Sequence, residues 1–186
     1  MKKIAKAAIA NSFMQLCLEI PVKRITIKHI IDACEISKQT FYNYFLDKQD
    51  LMNYIYAVDS KLAADKHYNL NAGPLKTIET AFEKCLEKKS YYLAIANYDT
   101  QNGFPQYFYQ NAIEFYTALI IDNYGKEALT APIKHAIEFN CAGAEKLFVD
   151  WIKRGMVESP RMIATELVNC MPVGLKKYVY RDSEVE

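Results

Sequence analysis

The chain lacks the spacings on which most enzymatic and metal-dependent functions rest. Its three histidines, His29, His67 and His135, are isolated from one another. No G-x-S-x-G, H-E-x-x-H, Walker A or G-x-G-x-x-G occurs, which argues against hydrolase, zinc-protease and nucleotide-binding chemistry. Five cysteines (Cys17, Cys34, Cys85, Cys141, Cys170) are scattered without a C-x-x-C pair, so neither a disulfide framework nor a structural zinc site is expected. They are expected instead as small buried apolar residues in a reducing compartment. No uninterrupted apolar run approaches the roughly 18 residues of a membrane span. The Met1-Lys2-Lys3 start is broken by Lys6, Asn11, Gln15 and Glu19, unlike a signal peptide. A cytoplasmic location and no cofactor, metal or membrane partner are therefore the expectation, and catalytic residues are not assigned.

What is present is a folded-protein balance: 51% hydrophobic and 24% charged residues over 186 positions, with 6 Gly and 6 Pro. The net charge of +1 hides a division. The first fifty residues carry eight cations (Lys2, Lys3, Lys6, Lys23, Arg24, Lys28, Lys38, Lys48) against five acids, and the remainder is slightly acidic. Positive potential is thus concentrated where a polyanion could be met.

The apolar spacing is helical throughout, with no alternation that would suggest strands. Ile9, Phe13, Leu16 and Ile20 stripe a first helix that Pro21 ends. Thr26, Ser37 and Asp47 are candidate N-caps for three more, because a side-chain oxygen there can accept from an orphan amide. Ile27, Ile30, Ile31 and Cys34 line the second helix; Phe41 and Phe45 share one side of a short third helix, 38–44; Leu51, Ile55, Val58 and Leu62 stripe the fourth. After the breaker 69–74, helices are expected at about 75–89, 91–98, 105–122, 127–154 and 159–178, with Pro172 kinking or ending the last. The fold class is all-α: a three-helix DNA-binding head over 1–48 and a larger helical domain over 49–186.

A short helix, a tight turn and a capped second helix suit duplex DNA, since the second helix fits the major groove while the first braces it across the backbone. With Phe41 and Phe45 turned inward, Lys38, Gln39, Thr40, Tyr42, Asn43 and Tyr44 lie outside or at the rim. That set combines base-reading amides with phosphate-binding hydroxyls and a cation.

The pattern Thr26-x-x-x-Ile30 … Ile36-Ser37-Lys38-x-Thr40-x-Tyr42-x-Tyr44-Phe45-x-x-Lys48-x-x-Leu51 resembles the tetracycline-repressor (TetR) family of one-component regulators. The resemblance covers the first fifty to sixty residues. It implies phosphate contacts from Thr26, Tyr42, Tyr44 and Lys48 and base reading from the Lys38–Asn43 face, with Lys28 and Ser37 at the same surface. Two positions depart from the pattern: Glu35 stands where the family usually has Gly, and Tyr44 where it more often has His. If the turn demands a positive φ, Glu35 costs about 1 kcal/mol relative to Gly. The run Trp151-Ile152-Lys153-Arg154-Gly155-Met156-x-x-Ser159-Pro160 also resembles a subgroup that includes dihydroxyacetone-kinase-regulator-like proteins.

Most of the 14 Tyr and 9 Phe lie beyond residue 75. Tyr91, Tyr98, Phe104, Tyr107, Phe108, Phe115, Tyr116 and Phe139 are candidates to line an effector pocket, for which ordinary core packing is the alternative. Ile133, Ile137, Ala144, Phe148, Trp151, Met162, Leu167 and Met171 are candidates for a two-fold interface, with burial within one subunit as the alternative. The combined expectation is a ligand-responsive repressor, binding a palindromic double-stranded DNA operator as a homodimer and answering an unknown small-molecule effector. The alternative is a DNA-associated protein of the same fold that has a protein partner and no effector.

Overall fold

The computed structural model describes residues 2–67, 73–98 and 103–180, and helices account for the regular structure in them. In chain order these are α1 (Lys2–Glu19), α2 (Ile27–Ala33), α3 (Lys38–Tyr42), α4 (Lys48–His67), α5 (Leu75–Glu87), α6 (Lys89–Ala96), α7 (Phe104–Tyr124), α8 (Ala131–Lys153), α9 (Pro160–Asn169) and α10 (Val173–Val179). Short 3-10 turns precede α2 at Val22–Arg24 and α8 at Lys126–Ala128. Pro172 divides the expected last helix into α9 and α10, because its ring fixes φ and removes a donor. The breaker residues 69–72, and Asn102, lie outside the described residues.

The expected caps are formed. Thr26 Oγ1 accepts from the His29 amide at 3.3 Å, and His29 Nδ1 accepts in return from the Thr26 amide at 3.3 Å, closing a capping box. Ser37 Oγ accepts from the Thr40 amide at 3.0 Å and Asp47 Oδ1 from the Asp50 amide at 2.8 Å. Each satisfies a donor that a helix start leaves orphaned.

Helices α2 and α8 end in the same motif with different residues. The Ile36 amide reaches the Ile31 carbonyl and the Glu35 amide that of Asp32; the Met156 amide reaches Trp151 and the Gly155 amide Ile152. Both are Schellman closures, which need a left-handed residue just past the helix. Gly155 takes φ 90° freely, whereas Glu35 holds φ 53° with a Cβ in the way. Glu35→Gly is therefore expected to stabilise the protein by about 1 kcal/mol. Urea unfolding checks this; a lowered midpoint would show that the Glu35 side chain contributes more than its backbone strain costs.

Ile9, Phe13, Ile30, Phe41, Phe45, Leu51 and Ile55 bury against one another, and the same core continues through Tyr91 and Tyr92 to Phe82, Phe148 and Trp151. Packing of α1 on α6, with Phe13 edge-on to Tyr91 at 6.2 Å, joins the head to the rest. A second core gathers Leu119 and Ile120 of α7, Ile133, Ile137 and Cys141 of α8, Met171, and Leu175 and Val179 of α10. Burial pushes the Cys17 and Cys141 thiols up to about 12, so they stay protonated and behave as apolar filler. Among the described residues no helix is long and apolar enough to cross a membrane.

Candidate nucleic-acid interface and effector cavity

Helix α3 is held from behind and presented from the front. Phe41 is 0% exposed and its ring lies 5.9 Å from that of Phe45, which is itself buried. On the other side Ser37, Lys38, Gln39, Tyr42 and Asn43 are exposed, with Thr40 and Tyr44 half-buried at the rim. Gln39 Nε2 donates to Asn43 Oδ1 at 3.1 Å, a one-turn pair that orders both amides and engages one of the two polar atoms of each. Ser37 and Thr40 share a hydroxyl contact at 2.9 Å, and the Lys38 ammonium stands 6.0 Å from the Tyr42 ring centroid. Thr26, the cap of α2, and Lys28 on α2 are exposed, Lys28 in a solvent-facing pair with Asp32 at 2.8 Å.

Lys48 is half-buried at the start of α4. Its Nζ donates to the carbonyls of Val22 at 2.6 Å and Ile25 at 2.9 Å, and sits 4.6 Å from the Tyr98 ring. The ammonium thus ties the first turn of α4 to the segment before α2. Lys23 and Arg24, by contrast, are not singled out by the sequence pattern as contact residues. Both are exposed on the 3-10 turn that leads into α2, and their adjacency to the Thr26 cap was the available signal.

A cavity of about 670 Å3 opens between α4, α5 and α7, with Ala144 of α8 and Leu167 of α9 completing the wall. Of the expected pocket residues, Phe108, Phe115 and Tyr116 line it. The others are elsewhere. Tyr91 and Phe104 are buried in the main core, Tyr107 packs edge-on to Tyr56 at 6.0 Å, and Tyr98 covers Lys48. Phe139 is 73% exposed on the outer side of α8, too far round the helix to face the cavity. Side chains that periodicity did not single out, Tyr56, Thr77 and Asn111 among them, complete the wall.

The expected two-fold interface needs the larger correction. Ile133, Ile137, Phe148, Trp151 and Met171 are buried within the chain, covered by α5, α6, α7, α9 and α10. Ala144 and Leu167 belong to the cavity wall, and of that set Met162 alone is exposed. The outward face of α8 includes instead Lys134, His135, Glu138, Phe139, Ala142, Gly143 and Lys146.

A capped helix-turn-helix beneath a larger helical body with its own cavity defines a class, the helix-turn-helix transcriptional regulators. Residues 74–172 match the family described as the transcriptional regulator C-terminal region of TetR type. The chain belongs to the TetR family. It is 34% identical over 61 residues to the HTH-type dhaKLM operon transcriptional activator DhaS of Lactococcus lactis subsp. lactis (strain IL1403). That alignment takes in 32% of this chain and spans about a third of the relative's length, 33%. A solved structure of a dihydroxyacetone kinase operon activator DhaS superposes with TM-score 0.64 at 20% identity, covering 90% of this chain and 94% of that one. A putative TetR-family transcriptional regulator from Syntrophomonas wolfei str. Goettingen superposes with TM-score 0.57 at 19% identity, covering 91% and 93%.

Proposed function

We propose that this regulator binds a pseudo-palindromic operator as a homodimer and changes its operator affinity when a small molecule occupies the cavity. The observation that carries the reading is the set Ser37, Lys38, Gln39, Tyr42 and Asn43, exposed on and beside α3, with Phe41 and the following Phe45 buried behind it. In this reading Gln39, Thr40 and Asn43 read base edges, while Thr26, Lys28, Ser37, Lys38, Tyr42 and Tyr44 contact phosphates. The head spans residues 1–48 and the effector and dimerisation domain 49–186. Two heads on one duplex sit about 34–36 Å apart, one helical turn.

The dimer forms through the outer face of α8 and α9, where Phe139 and Met162 are exposed and an added Cβ at Gly143 would meet nothing within 4 Å. Small residues there permit close approach of a two-fold mate. Helix α4 carries the signal. Tyr56, Ala57 and Ser60 stand in the cavity wall, and about two to three turns earlier Lys48 grips the segment leading into the reading helices. An effector that favours the non-binding head spacing by about 1–3 kcal/mol changes operator affinity about 5- to 150-fold. The cavity also weighs against the reading with a protein partner and no effector, which suits a closed core.

The sign of regulation has two readings. Repression is the expectation from sequence; the name of the Lactococcus relative, an activator, favours activation. A promoter–reporter fusion with and without the regulator decides between them.

The contact roles are checked with operator fragments selected from genomic DNA. Tyr42→Ala is expected to weaken binding almost equally across sequences and to flatten the salt dependence, the mark of a phosphate interaction removed. Gln39→Ala is expected to change which sequence is preferred, at about 1–3 kcal/mol for the base pair it reads. If Gln39→Ala scaled all affinities alike, α3 would not be the reading element.

A further inference from the structure

The outer side of α3 carries two amides that are joined to each other. Gln39 and Asn43, the latter the C-cap of α3, are both exposed and stand one turn apart, with Gln39 Nε2 donating to Asn43 Oδ1 at 3.1 Å. The polar groups around them are engaged elsewhere. The Ser37 and Thr40 hydroxyls hold each other at 2.9 Å, Ser37 Oγ also caps the helix, and the Lys38 ammonium lies 6.0 Å from the Tyr42 ring centroid.

An amide has one oxygen and one NH2 group, and the contact between these two uses the NH2 of Gln39 and the oxygen of Asn43. One oxygen and one NH2 group are not engaged by it. Turning both amides over exchanges the parts of the two residues and yields the same remainder, one acceptor and one donor.

That remainder selects among base edges. In the major groove guanine presents two acceptors, cytosine one donor, and thymine one acceptor and a methyl group. Adenine alone presents an acceptor and a donor side by side on one base, N7 and the N6 amino group. Against guanine the unengaged oxygen would meet lone pairs. Guanine is read most often by arginine or lysine, and residues 37–44 hold no arginine and one lysine, Lys38.

We infer that Gln39 and Asn43 act as one reading unit that specifies adenine, so that each operator half-site carries an A·T pair opposite them. The inference rests on the operator-binding reading above and names the base that α3 selects. The internal hydrogen bond orders both side chains before DNA arrives, so less freedom is lost on contact than two independent amides would lose. Removing either member therefore disables the other.

The test uses the full chain and the operator fragments selected from genomic DNA, with affinity followed by fluorescence anisotropy at fixed salt as each half-site base pair is replaced in turn. Gln39→Ala and Asn43→Ala are expected to relax selectivity at the same A·T pair, each by about tenfold, and the double variant by no more than about twofold further. Replacing that adenine by 7-deazaadenine keeps its pairing with thymine and removes the N7 acceptor. It is expected to weaken the parent about tenfold and either variant by less than about twofold. Both side chains are exposed, and Phe41 and Phe45 stay in place, so neither substitution removes packing from the core.

Four results overturn the inference and leave operator binding by α3 intact. They are selectivity lost at different base pairs in the two variants, losses that multiply in the double variant, a shared pair that is G·C, or a parent indifferent to 7-deazaadenine. If both variants scaled all affinities alike, α3 would read no bases, and the operator reading would fall together with the inference.

Discussion

Phe148→Ala should cost about 3–5 kcal/mol of folding stability, whereas Phe139→Glu on the same helix should leave the protomer folded and separate the proposed homodimer. Phe148 is 0% exposed, stacked on Phe82 with ring centroids 4.4 Å apart and on Phe108 at 4.8 Å. Removing it empties the centre of the main core, and stability is small enough that such a loss approaches unfolding. Phe139 projects from the opposite side, where a carboxylate is solvated in a monomer and, in the proposed dimer, opposed to its own copy across the two-fold axis. Denaturant unfolding and sedimentation velocity separate the effects. In Phe139→Glu the apparent stability should cease to depend on protein concentration, as expected once association no longer contributes. A dimer that survives Phe139→Glu would place the interface on some other face.

The second large effect concerns Asp59, whose side chain is 3% exposed on α4. It accepts from Lys88 Nζ at 2.6 Å and from the Tyr92 hydroxyl at 2.9 Å, which joins α4 to the junction of α5 and α6. Lys88→Met removes the cation and leaves a buried carboxylate with a single donor, at a cost of about 3 kcal/mol. Asp59→Asn added to Lys88→Met should recover much of the loss, because the charge left unpaired is then gone as well. Urea midpoints of the two single variants and the double give the coupling. If Lys88→Met unfolded within about 0.5 kcal/mol of the parent, the pair would contribute no more than an ordinary surface contact.

What was legible in the sequence follows from range. Thr26, Ser37 and Asp47 act on amides three residues away, so their caps could be read directly, as could the break at Pro172 and the inward pair Phe41 and Phe45. The strain at Glu35 was legible too, because one turn motif decides the φ that its residue must adopt. The role of α8 was not. An apolar stripe such as Ile133, Ile137, Cys141, Phe148 and Trp151 has the same period whether its own chain or a mate covers it. Asp59 and Lys88 are 29 positions apart, and Lys48 reaches carbonyls 26 and 23 positions away, separations at which spacing carries no information. The cavity wall mixes five helices, and so Tyr56, Thr77 and Asn111 share no pattern that a linear reading could detect.

Lys48 is tethered to main-chain oxygens, not to side chains. Every residue type supplies the same oxygen, so the tether specifies a path for the backbone and places no demand on the identity of Val22 or Ile25 beyond their packing. Relatives of this regulator can therefore exchange those two among apolar types and keep the grip, and the dependence will be invisible to any search for residues that vary together.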